Sequence, residues 1–217
     1  MRQESPRKLT HQKREKFQTQ GILLPAPKPG EMMNFREIYG NDHPVELEIG
    51  VGKGTFLVER SAARPELNFL GIEWAGAYAA YCADRFHRRE RTNVRMMHAD
   101  ATEVVGGCLP DESLWRVHIY FPDPWPKRRH RRRRSIQLPF VKQLWRVLRP
   151  GGQLLIVTDH LDYFQQIQRV FTRAEGFCRI PFPEMHDTEG EIVGTNFERK
   201  YIAQGRPFFN IAHIKYV

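Results

Sequence analysis

The sequence predicts an α/β fold: a mostly parallel, twisted sheet with helices on both faces. Three observations predict it. From about residue 44 onward, short apolar runs alternate with segments of helical period. The helical segments are long enough to return the chain for another parallel strand. Glycines and isolated acids fall where the strand-like runs end, and in such sheets ligands sit outside the carboxyl ends of the strands.

The elements follow in order. Residues 1–33 are polar and basic, then proline-rich (PAPKPG), and are expected to form a mobile tail and linker with a short helix near Lys13–Gln20. The domain is expected over 34–217. Val45–Ile49 is a short strand-like run that ends in glycines. Thr55–Ala63 has helical character, Leu67–Ile72 is a second strand, and Ala75–Arg89, rich in Ala and Arg, is a second helix. Val94–His98 is a third strand, followed by Asp100. Val117–Phe121 is a fourth, entering FPDPWP. Ile136, Phe140, Leu144 and Leu148 recur every fourth residue, with Val141 and Trp145 beside them, which makes one face of a helix. Ser135 is placed to cap it, and Pro150-Gly151-Gly152 to stop it. Gln153–Thr158 is a fifth strand and Tyr163–Ala174 a further helix.

Composition narrows the class. With 217 residues, 41% of them hydrophobic, the chain can bury a sizeable core. No apolar run is long enough for a transmembrane helix. The start, MRQESPRKLT, lacks the apolar stretch of a secretory signal. Cys82, Cys108 and Cys178 are odd in number and far apart, and neither a CxxC nor an HExxH pattern occurs. A disulfide framework and a metal site are therefore not expected, and a cytoplasmic address is. The net charge of +9 is concentrated: residues 127–134 read KRRHRRRR, and the tail carries Arg2, Arg7, Lys8, Lys13, Arg14 and Lys16. Like charges in a run repel and stay at the surface. A polyanion, most commonly a phosphate backbone, explains the inner run better than a solvated face does. A membrane surface fits less well, because no apolar helix face accompanies the arginines.

The sequence LEIGVGKGTFL places Gly50, Gly52 and Gly54 between a strand and a helix. Thr55 stands where the dinucleotide fingerprint would need its third glycine, and no Gly-Lys-Ser/Thr is present, so a nucleoside without phosphates fits better. Glu48 precedes the glycines by two. Glu73 ends the second strand, where a carboxylate can accept ribose hydroxyls, and Asp100 ends the third, where it could accept from an adenine amino group. Both acids could equally be ordinary turn or cap residues. The constellation resembles the class I S-adenosylmethionine-dependent methyltransferases. That resemblance implies a Rossmann-like methyltransferase fold and S-adenosyl-L-methionine held by Glu48, Gly50, Gly52, Gly54, Glu73 and Asp100.

At the fourth strand, Pro122, Pro124 and Pro126 stiffen the turn and leave Asp123 without helical neighbours, so its carboxylate can face outward and read a base edge. With GVGKG, GIEW, FPDPWPKRRHRRRR, VTDH and GTNFERKYIAQGRPFF, the chain resembles the bacterial tRNA (guanine-N7-)-methyltransferase family over residues 48 to about 209. The resemblance implies that Asp123 is active-site and cofactor-proximal, that Lys127 and Asp159 contact substrate, and that Thr195, Asn196, Phe197 and Glu198 form a late substrate-binding motif. It implies that Arg129, His130, Arg131, Arg132, Arg133 and Arg134 touch RNA. It further implies a tRNA partner, no metal, no membrane, and a monomer or homodimer. Thr195-x-x-Glu198 also reads as a capping box opening a helix that Gly205 could end. Two alternatives stay open: a methyltransferase acting on an exocyclic amine, since Asp123-Pro124-Trp125-Pro126 resembles the acid-Pro-Pro-aromatic turn of those enzymes, and an RNA-binding protein on an inert scaffold of the same kind.

Overall fold

A computed structural model describes residues 17–184 and 192–216. The basic cluster from Arg2 to Lys16 lies outside the described residues, as does most of the helix expected near Lys13–Gln20; residues 17–20 are not helical.

The chain runs β1 (Leu23–Leu24), α1 (Phe35–Tyr39), β2 (Val45–Ile49), α2 (Thr55–Ala63), β3 (Asn68–Glu73), α3 (Gly76–His87), β4 (Val94–His98), α4 (Ala101–Gly107) and β5 (Leu114–Tyr120). A 3-10 turn over Arg128–Arg133 follows, then α5 (Leu138–Val147), β6 (Leu148–Thr158), α6 (Leu161–Phe171), β7 (Phe177–Ile180), α7 (Asn196–Ala203) and β8 (Phe209–Lys215). The sheet order is β1-β4-β3-β2-β5-β6-β8-β7. All pairings are parallel except those of β8, which runs antiparallel to both β6 and β7.

The core has two layers, one on each face of the sheet. Strand alternation sends Leu47, Leu70, Ile72, Val117 and Ile119 to one layer, against Val105, Val141, Leu144 and Tyr163 of α4–α6. Phe69, Met96, Tyr120 and Val157 go to the other, against Phe56 and Leu57 of α2 and Ala79, Cys82 and Phe86 of α3. Burial on both faces explains why the strands read as nearly continuous apolar runs. The order of strands reverses between β2 and β5, which lie side by side in register from Glu46↔Arg116 to Ile49↔Ile119. The loops leaving these two strands therefore flank the crevice where this architecture binds ligands.

Several elements differ from expectation. Residues 17–33 pack on the domain instead of forming a loose linker. Leu23 and Leu24 pair with Met96 and Met97, Ile22 is buried, and the Met33 N–H donates to the Cys108 carbonyl at 2.8 Å. The reason is the apolar Ile22-Leu23-Leu24 run, which covers the β4 edge. Helix α5 begins after Gln137, with Pro139 in its first turn, and Ser135 does not cap it. Pro150-Gly151-Gly152 does not separate helix from strand: β6 starts before it, at Leu148, and the register shift against β5 absorbs it. The β7–β8 edge and the short helices α1 and α4 were not expected. Among the described residues no helix is long and apolar enough to cross a membrane, and no cluster of three His, Cys, Asp or Glu side chains could hold a metal ion.

Candidate active site

The loop after β2 turns on glycines in the left-handed region, with φ of 81° at Gly50 and 56° at Gly52. A Cβ on either would enter open space, so it is their backbone conformation, and not crowding, that requires glycine. The loop is stitched to its neighbour by Glu73: Oε2 accepts from the Gly52 N–H at 2.9 Å and Oε1 from the Ala75 N–H at 2.8 Å. The Cys82 thiol donates to the Gly52 carbonyl from below. Backbone amides and one carboxylate thus pre-form a cradle.

Glu46 and Glu48 are two residues apart on β2, share a face, and are both buried. Their surroundings are opposite. Glu46 takes two hydrogen bonds from Arg60, one from Arg116 at 3.2 Å and one shared with His118 at 3.0 Å. Burial alone would raise its pKa, but the bonds from His118 and Arg60 override that and hold the carboxyl well below the ordinary range. Glu48 has no such partners. Its Oε2 makes no hydrogen bond, and burial, reinforced by the nearby Glu73 charge, pushes its pKa well above the ordinary value. A buried oxygen left without a donor is costly. Here it lies beside an open glycine loop, so a cationic amino group entering the cradle would satisfy it.

Asp100 caps α4: Oδ1 accepts from the Thr102 N–H at 2.7 Å and from the Thr102 hydroxyl at 2.6 Å. The cap role foreseen as an alternative is therefore present, as is the turn role of Glu73. Both acids still sit at the ends of neighbouring strands, β3 and β4, on the side of the sheet where the glycine loop lies.

The second half of the site follows β5. Phe121 and Trp125 have φ of 51° and 40°, a region that bulky residues rarely adopt. The loop between them carries Asp123, exposed at the surface. Arg133 lies over the Trp125 ring at 4.9 Å, and His130 meets its edge at 5.9 Å. Lys127, Arg129, Arg131, Arg132 and Arg133 are exposed along the 3-10 turn.

Arg134 departs from expectation. It is 2% exposed. Nε donates to the Pro124 carbonyl at 2.7 Å, Nη1 to Gln166 at 2.6 Å and Nη2 to Asp162 at 2.6 Å, with the guanidinium over the Tyr163 ring. With three of its donors engaged inside the fold and its side chain buried, it is a clasp for the Asp123 loop, unlike its exposed neighbours. Arg131 also pairs with Asp162, at 3.1 Å, but stays near the surface.

Asp159, at the end of β6, is held by Arg206 at 3.1 Å and by the Tyr201 hydroxyl. Thr195 caps α7 as its pattern predicts, accepting from the Glu198 N–H at 3.1 Å. Glu198 is fully buried, and its carboxylate accepts the N–H groups of Ile192, Val193 and Gly194, so it shapes that loop. Asn196 donates to the Thr55 hydroxyl at 2.7 Å, tying α7 to the helix after the glycine loop. Phe197 is about half exposed and lies 5.9 Å from Phe121. Sequence reasoning missed Tyr201, Arg206, Asp162 and the Glu46 cluster. The only local signal was the i, i+2 repeat of acids in Val45–Ile49.

A nucleoside cradle at the point where strand order reverses, faced by a rigid acidic loop, defines the class: a Rossmann-like, class I methyltransferase. The fold is shared with a solved S-adenosylmethionine-dependent methyltransferase from Aquifex aeolicus (TM-score 0.55, 15% identity, covering 81% of this chain and 85% of that one). A family model described as a putative methyltransferase matches residues 42–211. The chain belongs to the tRNA (guanine-N(7)-)-methyltransferase family. It is 40% identical to the member from Rhodopirellula baltica, over 84% of this chain and 70% of that one. It is 35% identical to the member from Alkalilimnicola ehrlichii, over 88% and 81%.

Proposed function

We propose that this chain transfers a methyl group from S-adenosyl-L-methionine to N7 of a guanine in tRNA. The observation that carries the reading is the adjacency of β2 and β5. It brings the glycine cradle with the unpartnered Glu48 next to the loop that bears Asp123 and the exposed arginines. Glu48, Gly50, Gly52, Gly54, Glu73 and Asp100 would hold the cofactor, whose sulfonium supplies an electrophilic methyl when bound.

The chain's own work is orientation. Guanine N7 carries an in-plane lone pair and is unprotonated near neutral pH, so no general base is required. Holding the base in line with the methyl can lower the barrier by roughly 7–11 kcal/mol. As the base becomes cationic, a carboxylate beside it lowers the energy of the charged state. Asp123 and Asp159 supply such carboxylates, and either can accept the N1–H and 2-amino donors of guanine. Adenine, with an acceptor at N1, is refused. Lys127, Arg129, His130 and Arg131–Arg133 would hold phosphates, and the Trp125–Arg133 stack offers a flat face to a nucleotide.

Incubation with unmodified tRNA and labelled cofactor, followed by nucleoside analysis, tests the proposal. The expected product is 7-methylguanosine, which is cationic and alkali-labile. A neutral, alkali-stable methylated nucleoside would favour the exocyclic-amine alternative. No product, together with no saturable binding of S-adenosylhomocysteine, would leave an RNA-binding scaffold.

A further inference from the structure

We infer that Tyr201 and Arg206 are positioning residues for Asp159, locking its carboxylate in the orientation that serves the base. The inference rests on the reading of Asp159 as a group that faces the guanine. Asp159 ends β6, one strand beyond the Asp123 loop, and its side chain is 18% exposed. A carboxylate on a strand end has free rotation about two bonds, and stabilising a developing charge demands that it be fixed beforehand.

The end of α7 fixes it. Gly205 adopts φ of 59°, and the Arg206 N–H donates back to the Tyr201 carbonyl at 2.9 Å. That reversal lays the Arg206 guanidinium over the Tyr201 ring at 4.4 Å while Nη2 reaches Asp159 Oδ2 at 3.1 Å. The Tyr201 hydroxyl donates to the same carboxylate. Burial and this bond together push its pKa up to about 12, so it remains a donor throughout the neutral range. The Tyr201 ring packs 5.5 Å from Phe121, the strained residue at the root of the Asp123 loop.

The helix that carries Tyr201, and that Arg206 follows, is itself fastened to α2. Asn196 bonds Thr55, and Arg199 pairs with Glu59 at 3.0 Å. One rigid element therefore touches the Asp123 loop, Asp159 and the helix that follows the glycine cradle.

The test is steady-state kinetics with tRNA at saturating S-adenosylmethionine. Arg206→Ala should lower kcat about tenfold and move KM less than about threefold, because the lost interaction matters in the transition state. Arg206→Lys should recover most of kcat. Tyr201→Phe keeps the ring packing and removes one donor; it should lower kcat about threefold at unchanged melting temperature. The Tyr201→Phe/Arg206→Ala pair should fall short of the product of the single effects, since both act on one carboxylate. A KM rise with kcat intact in Arg206→Ala would make Arg206 a phosphate contact and overturn the inference. Asp159→Asn separates the two readings. If it turns over normally, Asp159 does not serve the base at all. If it is inactive while Arg206→Ala and Tyr201→Phe behave as wild type, only the positioning role fails.

Discussion

Two arginines two residues apart in one basic run should fail in opposite ways. Arg134→Ala removes three hydrogen bonds of 2.6–2.7 Å made by a guanidinium that is 2% exposed. Breaking a buried ion pair by removing one partner costs 3–5 kcal/mol, and bonds to charged groups contribute 1.5–3 kcal/mol each. The lower end applies here, because Asp162 is 33% exposed and keeps Arg131 as a partner. A loss of about 3 kcal/mol follows, which for a chain of this length lowers the melting temperature by about 6–12 °C. Arg132 is exposed. Arg132→Ala should leave the melting temperature unchanged and reduce the slope of log affinity against log salt by about 0.7–0.9, the release of one counterion. Thermal melts and filter-binding titrations of tRNA across salt concentrations read the two quantities. An Arg134→Ala protein that melts like wild type, or that loses salt slope as Arg132→Ala does, would refute the assignment of Arg134 to the fold.

Three further outcomes are expected. Asp123→Ala should lose most turnover while melting normally, because the side chain is exposed; near-normal methylation by the folded variant would remove Asp123 from the reaction. Calorimetry of S-adenosylhomocysteine binding should show proton release, as a Glu48 carboxyl raised by burial ionises against an amino group. Heat independent of the buffer's ionisation enthalpy would contradict that placement, and Glu48→Gln should abolish the release. Stability should fall with pH: burial lowers His118 and His213 to about 4 each, so both fold as neutral rings. A histidine with a depressed folded pKa contributes fully above its unfolded value of about 6.5 and loses that contribution as pH drops toward about 4. Glu48, with a raised pKa, works the other way and loses stability as pH rises past the ordinary carboxyl range. Denaturant midpoints of a Glu48→Gln protein, which lacks that opposing contribution, should drop from pH 7 to 4; a flat profile there would show that these rings are not buried neutral.

The parallel half of the sheet was legible because each of its strands carries its own period and its own terminating residues. The glycine loop and the Asp123 loop were legible for the same reason: their chemistry lies in consecutive residues. What escaped depended on partners distant in the chain. β8 becomes a strand by pairing antiparallel to β6, and FNIAHIK alone does not announce that. Leu23 and Leu24 form a strand only because β4 leaves an edge to cover. Arg134 looks like its neighbours until α6 brings Asp162 and Gln166 to it. Glu198 fits a capping box, and the Thr195 half of that pattern is present. Its carboxylate goes to three amides of the preceding loop instead, a choice no spacing rule contains.

The buried charges also explain how the Asp123 loop keeps its shape. Left-handed Phe121 and Trp125 each cost of order 1–3 kcal/mol and persist only when the surroundings over-determine them. Three prolines limit the alternatives, the Phe121 N–H is held by the Val157 carbonyl at 2.7 Å, and Arg134 pins Pro124 from beneath. Phe121 is further surrounded by Phe197, Tyr201 and Phe208. The strain is thus balanced by contacts from β6, α7 and Phe208, and by Arg134, itself anchored on α6, all otherwise remote from the loop. Removing Arg134 should therefore lower kcat in molecules that remain folded, as well as melting the protein earlier, because the backbone that presents Asp123 relaxes toward ordinary torsions. Removing Arg132 has no such route to the loop. The two arginines differ in position by two residues and in consequence by whether the fold or the RNA takes up the charge.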